Sequence, residues 1–217
     1  QRIVTFAPGE YYHLYNRGTD KRNIYLDRAD YRRFTELLYV CNSTEPVNIR
    51  TLHKAKESIY LHDRTQTLVA IGAYCLMPNH FHILLTPLKD DGVTKFMNKL
   101  GTSYSMYFNK KYERTGALFQ GRFKAKHADS DEYLKYLYAY IHLNPVKLID
   151  SEWKEKGLKN LDTSINYLKQ YQFSSISKYL HAGREEDVII EEEHFPGYFP
   201  EAAENIAELS EWLQFKQ

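Results

Sequence analysis

A chain of 217 residues and 25.7 kDa, 43% hydrophobic and 26% charged, suits one domain of ordinary size with an appendage and is too apolar for wholesale disorder. Its longest nearly unbroken apolar run, Leu68 to Met77, is too short to cross a bilayer. With no apolar leader after Gln1-Arg2-Ile3-Val4, a cytoplasmic protein with no membrane partner is expected.

Cys41 and Cys75 are the two cysteines. They exclude cysteine-rich zinc modules by count and read as buried thiols in apolar segments. The net charge of +1 hides a split. Residues 184–217 hold ten acids against Arg184 and Lys216, a net −8, which leaves +9 on residues 1–183. A basic body with an acidic tail is one layout of nucleic-acid proteins; a merely solvated acidic face would look the same. Nineteen tyrosines supply apolar rings with hydrogen-bonding tips, and most are expected simply to pack.

In chain order, Tyr11 to Asn16 is aromatic and β-favouring, a first strand stopped near Gly18. Asp27, with Asp30 three residues on, signals a helix start. Tyr31, Phe34, Leu38 and Cys41 then give helical spacing over Arg28 to Asn42. Ser43 to Gln66 is polar and unpatterned, a long loop or small insertion. Leu68 to Leu76 and His80 to Thr86 read as two strands of a hairpin about Met77-Pro78-Asn79.

Val93, Phe96, Met97, Leu100, Tyr104 and Tyr107 mark one face of a helix over Val93 to Tyr112. Gly116 to Lys126 ends in a strand, and Asp129 with Glu132 resembles a capping box for a helix over Ser130 to Leu143, stopped by Pro145. Leu158 to Leu180 in pieces, then Ala202 to Phe215, read as a helical C-terminal extension. The order strand, helix, strand, strand, helix, strand is the ferredoxin-like pattern: an α+β fold with an antiparallel sheet and helices on one face.

Two stretches carry chemistry. On a strand, His80 and His82 share a face, with Phe81, Ile83 and Leu85 on the core side. Two imidazoles on a rigid strand make a two-point metal site, and two half-exposed strand histidines would give the same triplet. In the helix before Pro145, Tyr133, Tyr136, Tyr140 and Asn144 fall on one face, and Tyr140 and Asn144 are i, i+4 neighbours that can reach one point. A phenol beside an oxygen ligand is a workable nucleophile if a cation lowers its pKa from about 10. An aromatic core stripe would have the same spacing.

Four ordered segments, between Tyr11 and Leu148, resemble the single-tyrosine HUH transposases of the insertion-sequence-200-like superfamily. They are Tyr12-His13-Leu14-Tyr15-Asn16-Arg17-Gly18, Cys75-Leu76-Met77-Pro78-Asn79-His80-Phe81-His82-Ile83-Leu84, Gly116-Ala117-Leu118-Phe119-Gln120-Gly121-Arg122-Phe123-Lys124 and Tyr140-Ile141-His142-Leu143-Asn144-Pro145-Val146. The pattern is most like that of REP-associated tyrosine transposases. The resemblance implies a catalytic domain over residues 1–148 and leaves residues 149–217 as a helical, acidic extension without a motif.

It further implies metal-dependent cleavage of single-stranded or hairpin DNA. His80 and His82, with Asn144 as third ligand, would hold Mg2+ or Mn2+. Tyr140 would form a 5′-phosphotyrosine, later resolved by a 3′-hydroxyl. DNA contacts would come from Lys110, Lys111, Arg114, Arg122, Lys124 and Lys126, opposed over residues 101–127 only by Glu113, with Arg17, Phe119 and Gln120 beside them. Monomer and homodimer remain open. Two other functions compete. One is a domesticated hairpin-binding protein with little turnover, which would release His80, His82 and Tyr140 from selection. The other is an RRM-type RNA-binding sheet, which would need no histidine pair and whose glycine-aromatic motif is absent.

Overall fold

The computed structural model describes residues 4–46, 48–54, 57–180 and 183–197, together with Leu209 and Glu211. Four antiparallel strands form one sheet: β1 (Tyr11–Arg17), β2 (Val69–Met77), β3 (His80–Pro87) and β4 (Lys124–Ala128). Their order, β2-β3-β1-β4, is the ferredoxin-like arrangement expected, with β1 central and β4 on an edge. Between them run α1 (Arg28–Val40), α2 (Ile49–Lys54) and α3 (Gly92–Lys111), and after β4 comes α4 (Asp131–Leu143).

The local signals act as physical chemistry requires. Asp27 caps α1 by accepting from the Asp30 amide at 3.0 Å, and Asp30 returns the bond to the Asp27 amide, a full capping box. The cap of α4 is Ser130, whose hydroxyl accepts from the Tyr133 amide at 3.2 Å, not Asp129. The hydroxyl one residue nearer the helix has the reach to the third helical amide. The polar stretch after α1 is a small insertion that contains α2. Buried Asn42 stitches it to the sheet, taking the Leu68 and Val69 amides at 2.9 and 3.0 Å. Both cysteines are buried and free.

The expectation of helices on one face is corrected. Side chains alternate along each strand, and each sheet face is apolar enough to demand a cover. Tyr12, Leu14, Phe81, Ile83 and Leu85 pack with α1 and α3. Ala70, Ala73, Cys75 and Leu84 pack with α4 and with residues after Leu148. Those later residues include α5 (Trp153–Lys156), α6 (Leu161–Gln170) and α7 (Ile176–Leu180).

The close fit of that second layer shows at Gly72, where β2 carries a bulge. A Cβ there would lie 2.6 Å from the Phe195 ring, so only glycine admits the contact. Ser175 accepts from the Tyr74 amide at 2.9 Å and donates its own amide to the Tyr74 carbonyl at 2.9 Å, tying the extension to β2. The helix expected over Ala202 to Phe215 lies almost wholly outside the described residues.

Candidate active site

His80 and His82 point from β3 to the α4 side of the sheet. Their rings are 5.0 Å apart and nearly perpendicular. His82 is 6% exposed, so it is not a surface histidine. The register sets Tyr15 of β1 opposite His82. His13, two residues earlier on the same face, puts its Nε2 2.8 Å from His82 Nδ1. One of these nitrogens must carry the proton. If His82 Nδ1–H donates to His13, the His82 Nε2 lone pair is free, and that atom is buried without any partner. His80 is oriented likewise: its Nδ1 lies 2.6 Å from the Asn79 Oδ1, an acceptor, so the proton sits on Nδ1 and Nε2 is left open.

All three imidazoles are held neutral. Burial, then Lys126 and Lys154, lower His13 to about 3. Burial, then Lys147 and Arg17, lower His80 to about 4. Burial, then His13 and His80, push His82 well below the usual histidine range.

Tyr140 comes from α4 to the same point. Its ring meets His82 edge-on at 5.3 Å and His13 edge-on at 6.2 Å. Asn144, one turn further on the same helix face, is 1% exposed, and its side chain favours the ionised form of the Tyr140 hydroxyl. Its Oδ1 is buried with no partner. Burial raises the Tyr140 pKa, while the Asn144 side chain and the Lys154 charge pull it back down.

The open atoms are thus two imidazole nitrogens and one amide oxygen beside a phenol. This set fits a single divalent cation, with its remaining positions left to substrate oxygens. No group of three His, Cys, Asp or Glu residues that could hold a metal exists among the described residues. All three donors are neutral, and the anionic ligands of the ion would be phosphate oxygens.

A cleft of about 620 Å³ opens beside His80. Met77, Pro78 and Leu148 give it apolar surface, and Arg17, Gln120, Lys124 and Lys147 line it. Arg17 donates to the Gln120 side chain. Of the cations expected to meet DNA, Lys124 is therefore at the cleft. Lys126 lies on the same face, over the Tyr133 ring at 4.6 Å, and Arg122 is exposed on the loop before β4.

Others are placed elsewhere. Lys111 is spent on Asp27 and Asp30, 2.7 Å from each. Arg114 bonds Asn109 at 3.1 Å, and Lys110 is exposed at the end of α3, the helix on the opposite sheet face. Phe119, expected to stack on bases, instead packs edge-on against Phe81 at 5.8 Å and joins the core under α3. Its ring follows the bridge that Phe119 makes to Gly18.

Four residues at the site escaped sequence reasoning as site residues: His13, Lys147, Trp153 and Lys154. His13 sits 69 positions from its partner. Its signal was its place in the first family-resembling segment, Tyr12 to Gly18.

A family model described as "Transposase IS200 like" matches residues 36–144, half of the chain. The chain belongs to this family. The match contains His80, His82, Tyr140 and Asn144, whereas His13, Lys147, Trp153 and Lys154 lie outside it. A likeness of fold extends further. A solved REP-associated tyrosine transposase bound to a REP hairpin is similar over 83% of this chain and 84% of its own, with a TM-score of 0.50 and 15% identity. That coverage exceeds the share of the chain that residues 1–148 make up, so the shared fold takes in part of the extension. No curated protein matches the chain. No described helix is long and apolar enough to cross a membrane.

Proposed function

We propose that this IS200-like transposase cleaves and rejoins single-stranded or hairpin DNA in the cytoplasm through a covalent tyrosine intermediate. The observation that carries the reading is the convergence of one phenol, two neutral imidazoles with open nitrogens and one partnerless amide oxygen, one of the imidazoles, His80, lining a basic cleft.

A divalent ion, Mg2+ or Mn2+, held by His80, His82 and Asn144 would polarise a phosphoryl oxygen. The Tyr140 oxygen attacks phosphorus, the bond to O3′ breaks, and a 5′-phosphotyrosine and a free 3′-hydroxyl result. The Asn144 side chain favours the ionised form of the attacking oxygen. His13 and Asn79 hold the two histidine rings in one tautomer. The phosphotyrosine keeps the energy of the broken bond, so a 3′-hydroxyl can reverse the step without a nucleotide cofactor. Arg17, Arg122, Lys124, Lys126 and Lys147 supply the cations that follow a DNA backbone.

The test is to incubate the protein with an end-labelled hairpin carrying single-stranded flanks, with and without Mn2+, and to resolve the products on a denaturing gel. A metal-dependent protein–DNA adduct that Tyr140→Phe abolishes is expected. Hairpin binding with no adduct would favour the domesticated binding protein. An adduct lost in Tyr136→Phe but kept in Tyr140→Phe would move the nucleophile.

A further inference from the structure

We propose that Lys154, from the segment after the family match, is a catalytic residue that grips the phosphoryl group Tyr140 attacks; this rests on the strand-transfer reading above.

The chain is driven to bring it there. Pro145 ends α4, and Asn144–Leu148 turn tightly with Val146 buried. Leu148 and Ile149 stay largely exposed, and Trp153 is the next large apolar side chain to be buried, at 1% exposed. Its ring lies against that of Tyr140, centroids 6.4 Å apart and 20° from parallel. Burying an indole of this size fixes the backbone on which the next residue sits. Lys154 consequently carries its Nζ over the face of the Tyr140 ring, 4.8 Å from the centroid, and 5.9 Å from that of Tyr136.

The charge of Lys154 is unspent. Three lysines on the adjoining segments are paired, Lys135 with Asp131 at 2.9 Å, Lys156 with Glu152 at 2.8 Å and Lys159 with Asp150 at 3.0 Å. Lys154 has no carboxylate within ion-pair distance among the described residues. The protein ligands across the ring, His80, His82 and Asn144, are all neutral. Attack by an ionised phenol on a phosphodiester places further negative charge on the two non-bridging oxygens. A fixed cation on the nucleophile's side of the phosphorus stabilises that charge where it develops. Lysine suits the task as a compact point charge.

In the step, the bond from the Tyr140 oxygen to phosphorus forms and the bond to O3′ breaks. The phenol proton leaves to water and the departing oxygen takes one from water. Lys154 donates a hydrogen bond to a non-bridging oxygen and stays protonated throughout.

The experiment uses the full chain and the labelled hairpin described above, with the cleavage position mapped by the wild-type protein. A wild-type protein that forms no adduct overturns both readings. Given an adduct, Lys154→Met should slow its formation at saturating DNA by about a hundredfold, and Lys154→Arg should recover most of the rate. A second measurement needs neither metal nor turnover. In the Tyr140→Phe background, replacing the mapped phosphate by a neutral methylphosphonate should weaken binding about tenfold when Lys154 is present, since a charged hydrogen bond is lost. It should have no effect once Lys154 is Met, because the two changes remove the same contact. Equal losses in both proteins, or adduct formation by Lys154→Met at the wild-type rate with the adduct reading intact, would overturn the assignment. Thermal unfolding of each variant separates these outcomes from misfolding.

Discussion

His13 makes no contact with substrate in the proposed reaction, yet its loss should be felt at the metal. With His13 replaced by leucine, the Nδ1–H of His82 loses the acceptor 2.8 Å away. Leaving that donor buried costs about 1–3 kcal/mol. The imidazole can escape the cost by moving its proton to Nε2, and that blocks the nitrogen the ion needs. Either way the binding-competent tautomer is disfavoured. Loss of such a supporting partner lowers metal affinity by about 10–100-fold, or about 1.4–2.7 kcal/mol. Calorimetric titration of Mn2+ into metal-free protein at neutral pH reads this directly, with thermal unfolding as the check on folding. His13→Gln, which offers a carbonyl acceptor, should recover part of the affinity. A folded His13→Leu protein that binds Mn2+ within twofold of wild type would refute the reasoning.

Asn144→Ala should weaken Mn2+ binding less than His80→Ala or His82→Ala does, since an amide oxygen is the poorer ligand, and calorimetry on the three variants ranks them. Stability should fall as pH drops below the ordinary histidine value of 6.5. His13 and His142 are lowered to about 3 and His80 to about 4, so between those values the unfolded chain binds more protons than the folded one. Full stability is present above 6.5 and is lost on the way down, by several kcal/mol in order of magnitude; urea midpoints near pH 7 and pH 5 test the sign. Asp30→Ala should cost about 3–5 kcal/mol by urea unfolding, because it removes a fully buried carboxylate that accepts from Lys111, Tyr107 and Tyr112, leaving Tyr107 without its acceptor and Lys111 and Tyr112 with Asp27 alone. Reversing Arg122 and Lys124 to glutamate should lower affinity for single-stranded DNA and flatten its log–log salt dependence by about 0.7 per lost contact.

What the sequence made legible follows from distance along the chain. The Asp27 cap, the β2–β3 hairpin and the Tyr140–Asn144 pair each rest on residues within four or five positions of one another. Local sterics and hydrogen bonding settle such features before tertiary structure does. The shared face of His80 and His82 follows from strand pleat alone. The His13–His82 bond could not be read so, because it depends on which strand lies beside β3 and in which register. Phe119 failed for a related reason: an aromatic among lysines looks like a base-stacking ring until the β-bridge to Gly18 turns it onto Phe81. Lys111 looked free because its acids lie on another helix, more than eighty positions away.

The second sheet face was the largest omission, and it bears on where a functional unit can be cut. β2 is buried along its whole length, which a strand covered on one side only would not be. What covers the far side includes Trp153, Leu168, Ile176 and Phe195, each 7% exposed or less. Removing residues after Leu148 would delete all four, with the apolar burial they contribute, and uncover Ala70, Ala73 and Cys75. At about 2–3 kcal/mol for each large apolar side chain, that is roughly 10 kcal/mol, comparable with the whole stability of an ordinary domain. The truncation would also strip the Ser175 bonds from the Tyr74 backbone and the Trp153 wall from Tyr140. A chain ending at Leu148 should therefore aggregate or lack cooperative unfolding, and should form no DNA adduct even at high Mn2+. Gel filtration and a thermal melt followed by circular dichroism decide the point. A monomeric truncation that unfolds in one sharp transition near the full-length temperature would show that α1, α3 and α4 suffice to hold the sheet, and that the extension is an accessory to the fold.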